Sequence, residues 1–172
     1  FPSWVRAPVP TYNPEHDADS WLQNARMDHR GVRFVMLDWN SREVGTIFGE
    51  TPDLHDFDGG TLPFLGDALD TLPDGPDKRV VLLSHMAPFP GPGGLVTEEQ
   101  DALAALIQPY TDAVWGNHAG HLHADSQMTW DDIDFEIVVT DATWDDINTI
   151  RIVSVLSDGQ RFSYEDTSVT ID

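Results

Sequence analysis

Arg79-Val80-Val81-Leu82-Leu83-Ser84-His85 is the stretch that decides the fold. Its apolar residues follow one another without polar alternation, the pattern of a strand covered on both faces. The run ends at a histidine. Pro88, Pro90, Pro92, Gly91, Gly93 and Gly94 follow, and they exclude a regular element before Thr97. Upstream, Leu62, Leu65, Leu69 and Leu72 recur at spacings of three and four, which predicts an amphipathic helix. Before that, Arg33-Phe34-Val35-Met36-Leu37-Asp38-Trp39 reads as a second buried strand, bounded by Gly31 and Asn40-Ser41, with residues 40–60 as a long connection.

Working downstream, Thr97 with Gln100 three residues on predicts a capping box that opens a helix carrying Leu103, Leu106 and Ile107 and stopping near Pro109. Asp112-Ala113-Val114-Trp115 is a short strand, and residues 116–125 read as a loop holding His118, His121 and His123. Residues 135–140 and 149–156 are rich in β-branched residues. Asp158-Gly159 predicts a tight hairpin over 157–160 leading to a strand at 161–164. Residues 1–30, broken by Pro2, Pro8, Pro10 and Pro14, read as a lead-in segment with a short helix near 19–27. Strands alternating with helices and then a run of strands make this an α/β chain with an antiparallel meander at its C-terminal end.

The chain has 172 residues, the size of one domain or of half a larger one. Nine Lys and Arg against 30 Asp and Glu give a net charge of −21, which repels nucleic-acid phosphates and anionic membrane surfaces. A hydrophobic fraction of 40% still supports a packed core. With no cysteine, disulfides, zinc–thiolate sites and thiol catalysis are excluded. No stretch approaches the roughly 20 apolar residues of a membrane span. Aspartate makes up 23 of the 30 acids, a surface that fits a saline, calcium-rich or secreted setting; an extracytoplasmic location is the expectation. Such a surface repels itself over a screening length of about 8–10 Å at ordinary ionic strength. The thermal midpoint is therefore expected to rise between low and high sodium chloride, and an unchanged midpoint would refute this.

Three strand ends gather chemistry: Leu37-Asp38, Ser84-His85, and the Gly120-His121-Leu122-His123 loop. Open α/β sheets build their sites at such ends. Imidazole suits several divalent transition metals, although each histidine taken singly reads as a structural or surface residue. Asp125, two residues after His123, is placed to orient a histidine as a hydrogen-bond acceptor. His16, His29 and His55 have no motif around them and read as surface residues. Trp39 and Trp115 fall near site-bearing strand ends, where they would flank a substrate. Asp56-Phe57-Asp58-Gly59 lacks the first and last acids of a calcium loop, because Leu54 and Leu65 stand there, and it reads as a solvated turn. Asp131-Asp132 and Asp145-Asp146 read as polar turns.

These blocks, in this order, resemble the second half of the catalytic domain of the calcineurin-like metallophosphoesterases, over roughly residues 31–165. The carrying residues are Val32 to Asp38, Gly60-Thr61-Leu62 with Leu65 and Leu69, Val80 to His85 with Pro88, and Gly120-His121-Leu122-His123. The resemblance implies a four-layer α/β/β/α sandwich, of which residues 31–172 are the C-terminal half. It also implies two divalent ions (Mn, Fe or Zn) and hydrolysis of a phosphoester substrate by water that those ions activate. His85 and His121 would bind one ion and His123 the other. The family's first-half blocks, Asp-x-His, Gly-Asp-x-x-Asp and Gly-Asn-His followed by an acid, do not occur ahead of residue 31; Gly116-Asn117-His118 is followed by Ala119 and is read as coincidental. The partner implied is an N-terminal half on another chain or on a longer precursor, a reading to which the start at Phe1 adds. The rival reading is a non-catalytic binding module that keeps this half of the fold; a calcium-dependent module, resting on the aspartates alone, is a third.

Overall fold

The computed structural model describes residues 4–7, 9–41, 51–73, 79–90, 94–141, 149–154 and 163–168. Among these residues, eleven strands and two α-helices follow in chain order: β1 (Trp4–Arg6), β2 (Thr11–Asn13), β3 (Ala18–Ser20), β4 (Ala25–His29), β5 (Val32–Leu37), α1 (Thr61–Asp70), β6 (Arg79–Ser84), α2 (Thr97–Ile107), β7 (Val114–Ala119), β8 (Ser126–Trp130), β9 (Phe135–Val139), β10 (Thr149–Ser154) and β11 (Ser163–Ser168). Seven of the strands form one mixed sheet in the order β1-β4-β5-β6-β7-β9-β8. Its centre, β5-β6-β7-β9, is parallel, and both flanks are antiparallel. The strands β2–β3 and β10–β11 form separate antiparallel ribbons.

The apolar run of β6 behaves as its sequence requires. Val80 and Leu82 point into a core shared with Leu65, Leu69, Leu103 and Ile107 of the two helices, while Val81 turns to the opposite face beside Val32 and Trp115. Val153 of β10 packs against that second cluster, so helices cover one face of the sheet and the ribbon reaches the other. No helix among the described residues is long and apolar enough to cross a membrane.

Helix α1 buries Thr61, Leu62, Leu65, Ala68 and Leu69, one stripe at helical spacing. Pro63 sits in its first turn, where a missing N–H costs nothing. Gly60 at the N-cap offers no side chain, and the Leu62 N–H is satisfied instead by the Leu54 carbonyl at 2.9 Å. At the other end, Arg33 of β5 donates to the Ala68 carbonyl at 2.7 Å and holds Asp28 with two hydrogen bonds of 2.6 and 2.7 Å. That guanidinium keeps the Asp28 carboxyl below its ordinary range, with burial acting the other way.

The structure departs from the sequence reading in several places. The helix expected near 19–27 is instead β3 and β4, and β4 joins β5 through Arg30-Gly31, both with positive φ (50° and 82°), the two-residue turn whose twist matches paired strands. Thr97 is the first helical residue rather than the cap. Val96 takes the N-cap position without a side-chain cap, and Glu99 reaches back to accept from its N–H at 3.3 Å and from that of Leu54 at 2.8 Å, which ties the helix start to the loop ahead of α1. Burial raises the Glu99 carboxyl above its usual value. Strand β7 runs on through Gly116, Asn117, His118 and Ala119, which read as a loop. Trp39 and Trp115 are buried in the core, so neither stands at a surface to flank a substrate. Pairing of 149–154 with 163–168 is antiparallel as expected; the turn itself, and Asp145-Asp146, lie outside the described residues.

Candidate functional site

The parallel strands β5 and β6 run side by side, Leu37 level with Ser84, so Asp38 and His85 leave the sheet at the same end. A cleft of about 530 Å³ opens there between Gln23, Met36, Asp38, Asn40, Ser84 and His85. Asp38 is held in place by the N–H groups of Gln23, 3.0 Å from Oδ2, and of Asn40, 3.4 Å from Oδ1. Its own N–H donates to the buried Asn24.

His85 begins a turn fixed from inside. Ser84 Oγ donates to the Met86 carbonyl at 2.6 Å and accepts from the Asn117 amide at 2.9 Å. Asn117 is fully buried on β7, so this polar pair ties the ends of β6 and β7 together beneath the histidine. The Gly120 N–H then donates to the His85 carbonyl at 3.0 Å, which brings the next loop over it. That loop bends tightly: Leu122 N–H donates to the Gly120 carbonyl, and His121 between them has a φ of 71°. Non-glycine residues at positive φ are costly and concentrate where the surroundings impose them.

The result places His121 Nδ1 3.3 Å from His85 Nε2, with ring centroids 5.1 Å apart and the rings nearly perpendicular. His85 is exposed and His121 partly so. His123, two residues further, is exposed with a φ of 50°. Asp125 Oδ1 accepts from Arg151 at 3.0 Å and from the Asp141 N–H at 3.2 Å, contacts that hold its loop to β10. His118, on β7, is partly buried, and burial together with Arg151 lowers it to about 4.

Not every ligand-type cluster lies here. Among the described residues, the set of three whose ligand atoms all lie within 4.8 Å of one another is Glu15, Asp53 and His55. His55 reads as a surface residue in the sequence and is instead completely buried. Its neighbours in sequence carry no periodic signal, and Glu15 is 40 residues away, so nothing local foretold the grouping. Asp56 and Asp58 are exposed, as a solvated turn requires.

No family model matches the chain, and no curated protein matches it. Among solved structures it is similar to a dimetal phosphatase from Danio rerio, at 16% identity and a TM-score of 0.46, over 81% of this chain and 57% of that one. The chain thus spans a little over half the length of that structure.

Proposed function

We propose that this chain is the C-terminal half of a metal-dependent phosphoester hydrolase, completed by an N-terminal half on another chain or on a longer precursor. The observation that carries the proposal is the approach of His121 Nδ1 to His85 Nε2 at a strand-end cleft. Two nitrogens bound to one ion at about 2.1 Å lie roughly 3.0–3.4 Å apart when the angle between them is right to tetrahedral. The 3.3 Å separation meets that requirement. Without an ion, the same two atoms make an N–H···N hydrogen bond.

His85 and His121 would hold one ion and His123 would belong to a second, with the remaining ligands supplied by the missing half. Bound ions of this kind polarise a phosphoryl oxygen and lower the pKa of water. The chain's own part is positional: the Ser84–Asn117 pair fixes where His85 leaves the sheet, and the Gly120–His85 backbone bond sets His121 beside it. With a net charge of −21, the chain offers an anionic substrate little attraction of its own, so the metals must supply the positive potential. An extracytoplasmic setting remains part of the proposal.

A binding module is the second reading. A neighbouring cleft of about 530 Å³ shares Gln23 and Met36 with the first and is walled by the exposed Trp4 and Trp21. Ion content and turnover separate the two. With the N-terminal half supplied, the hydrolase reading expects bound divalent ions and cleavage of an aryl phosphate. His85→Ala or His121→Ala should weaken one ion by more than about tenfold, since loss of even an outer partner costs that much. Neither ions nor turnover would leave the binding module.

A further inference from the structure

The turn between β2 and β3 carries Glu15, and the loop ahead of α1 carries Asp53 and His55. The ligand atoms of these three residues meet within 4.8 Å. His55 has no exposed surface. Its Nε2 lies 2.9 Å from the Asn40 carbonyl oxygen, which can only accept, so Nε2 carries a proton and, in the neutral form of the ring, Nδ1 presents a lone pair. Nδ1 is buried without a hydrogen-bond partner, 3.4 Å from Oδ1 of Asp53. That oxygen already accepts from the His55 N–H at 2.7 Å. Two acceptors then face each other at a ring nitrogen sealed from water, beside a partly exposed carboxylate, a costly arrangement for the ring unless a positive charge lies between them. A ring with one N–H on a backbone carbonyl and the other nitrogen open is the arrangement metal-bound histidines adopt.

We propose that Glu15, Asp53 and His55 bind one divalent first-row ion, of the zinc or manganese type, as a structural clip between the β2–β3 turn and the loop that leads into α1. A nitrogen donor beside two carboxylates suits these ions better than magnesium or calcium. Ligand atoms about 2.1 Å from a shared ion lie roughly 3.0–3.4 Å apart at right to tetrahedral angles; His55 Nδ1 and Asp53 Oδ1, at 3.4 Å, already meet this, and a set spread over up to 4.8 Å closes by about 1.5 Å at most. Glu15 is exposed and makes that movement freely. The ribbon and the loop already touch where Thr11 Oγ1 donates to the Asp58 carbonyl at 3.5 Å, and the ion adds a bond at the same junction.

The test removes the other candidate ligands first. In the His85→Ala/His121→Ala/His123→Ala protein, freed of metal by chelation, zinc chloride titrated in a calorimeter should bind at one equivalent and raise the melting midpoint. Adding Glu15→Gln should weaken that binding by at least about tenfold, and the nitrogen resonance of His55 Nδ1 should move with zinc only while Glu15 is present. No binding, binding unchanged by Glu15→Gln, or an Nδ1 that carries a proton in the zinc-saturated protein (an imidazolium paired with Asp53) overturns the clip. None of these outcomes bears on the His85–His121 pair, which is judged from the ions lost when those two residues alone are replaced.

Discussion

Gly60→Ala should destabilise the protein by about 3 kcal/mol in guanidinium unfolding. The backbone angles are not the reason: φ of −76° and ψ of −176° suit any residue at an N-cap. The obstacle is the His55 carbonyl oxygen, which a Cβ at residue 60 would meet at 1.9 Å, with the Phe57 oxygen at 2.9 Å. Both are backbone atoms and cannot rotate away. The loop is pinned there because Gly60 N–H donates to Phe57 at 2.7 Å and Leu62 N–H to Leu54 at 2.9 Å. Relief of the clash must therefore break the helix start, shift His55, or both. Gly66→Ala is the control: its Cβ would meet Leu106 Cδ1 at an ordinary 3.6 Å, and alanine in a helix gains up to about 1 kcal/mol over glycine. If Gly60→Ala unfolds at the same denaturant concentration as the unaltered protein, the close packing of this loop is wrong.

The parts of the fold that were legible are those in which burial follows a simple period. β6 is apolar on both faces because helices and ribbon cover it, and α1 and α2 show their buried stripes at three and four residues. The parts that were not legible depend on partners distant in sequence. Ala25–His29 contains Arg26, Asp28 and His29 and does not look like a strand. It is held as one by pairing with β5, by Arg33 on Asp28, and by Arg26 reaching Asp67 at 2.7 Å. Asn117 reads as a turn residue, yet lies buried in β7 because Ser84 of the adjacent strand satisfies its amide. For the candidate site, the order of the motifs nominates His85, His121 and His123; the structure sets His121 against His85, while His123 stands exposed two residues further on. Glu15, Asp53 and His55 lacked any such order. Their grouping depends on a ribbon folding back over a loop, a tertiary event with no local pattern.

The pH dependence of stability should contain a component from His118 that disappears in His118→Gln. Burial first, and Arg151 second, lower this imidazole from an ordinary 6.5 to about 4. Between those values the unfolded chain takes up a proton that the folded chain refuses, so protons favour unfolding and stability falls as pH falls. The component is complete by about pH 4 and is worth about 2–3 kcal/mol, with its upper end trimmed because the ring is partly solvated. Two carboxyls act nearby in pH and must be separated from it. Asp28, lowered by Arg33, contributes stability present above its unfolded value of 3.8 and lost as pH falls through its folded one, a window below that of His118. Glu99, raised by burial above 4.5, acts in the opposite sense, because its folded form accepts a proton sooner and gains stability as pH falls. Only the difference between the unaltered and His118→Gln profiles isolates the imidazole, and it should slope from pH 6.5 down to about 4 and be level outside that range. Arg151→Met should raise the lower end of that slope and shrink the component by a smaller amount, leaving the upper end at 6.5, since the guanidinium is the lesser of the two causes. Parallel profiles for the unaltered and His118→Gln proteins would mean that the ring ionises as freely in the fold as outside it.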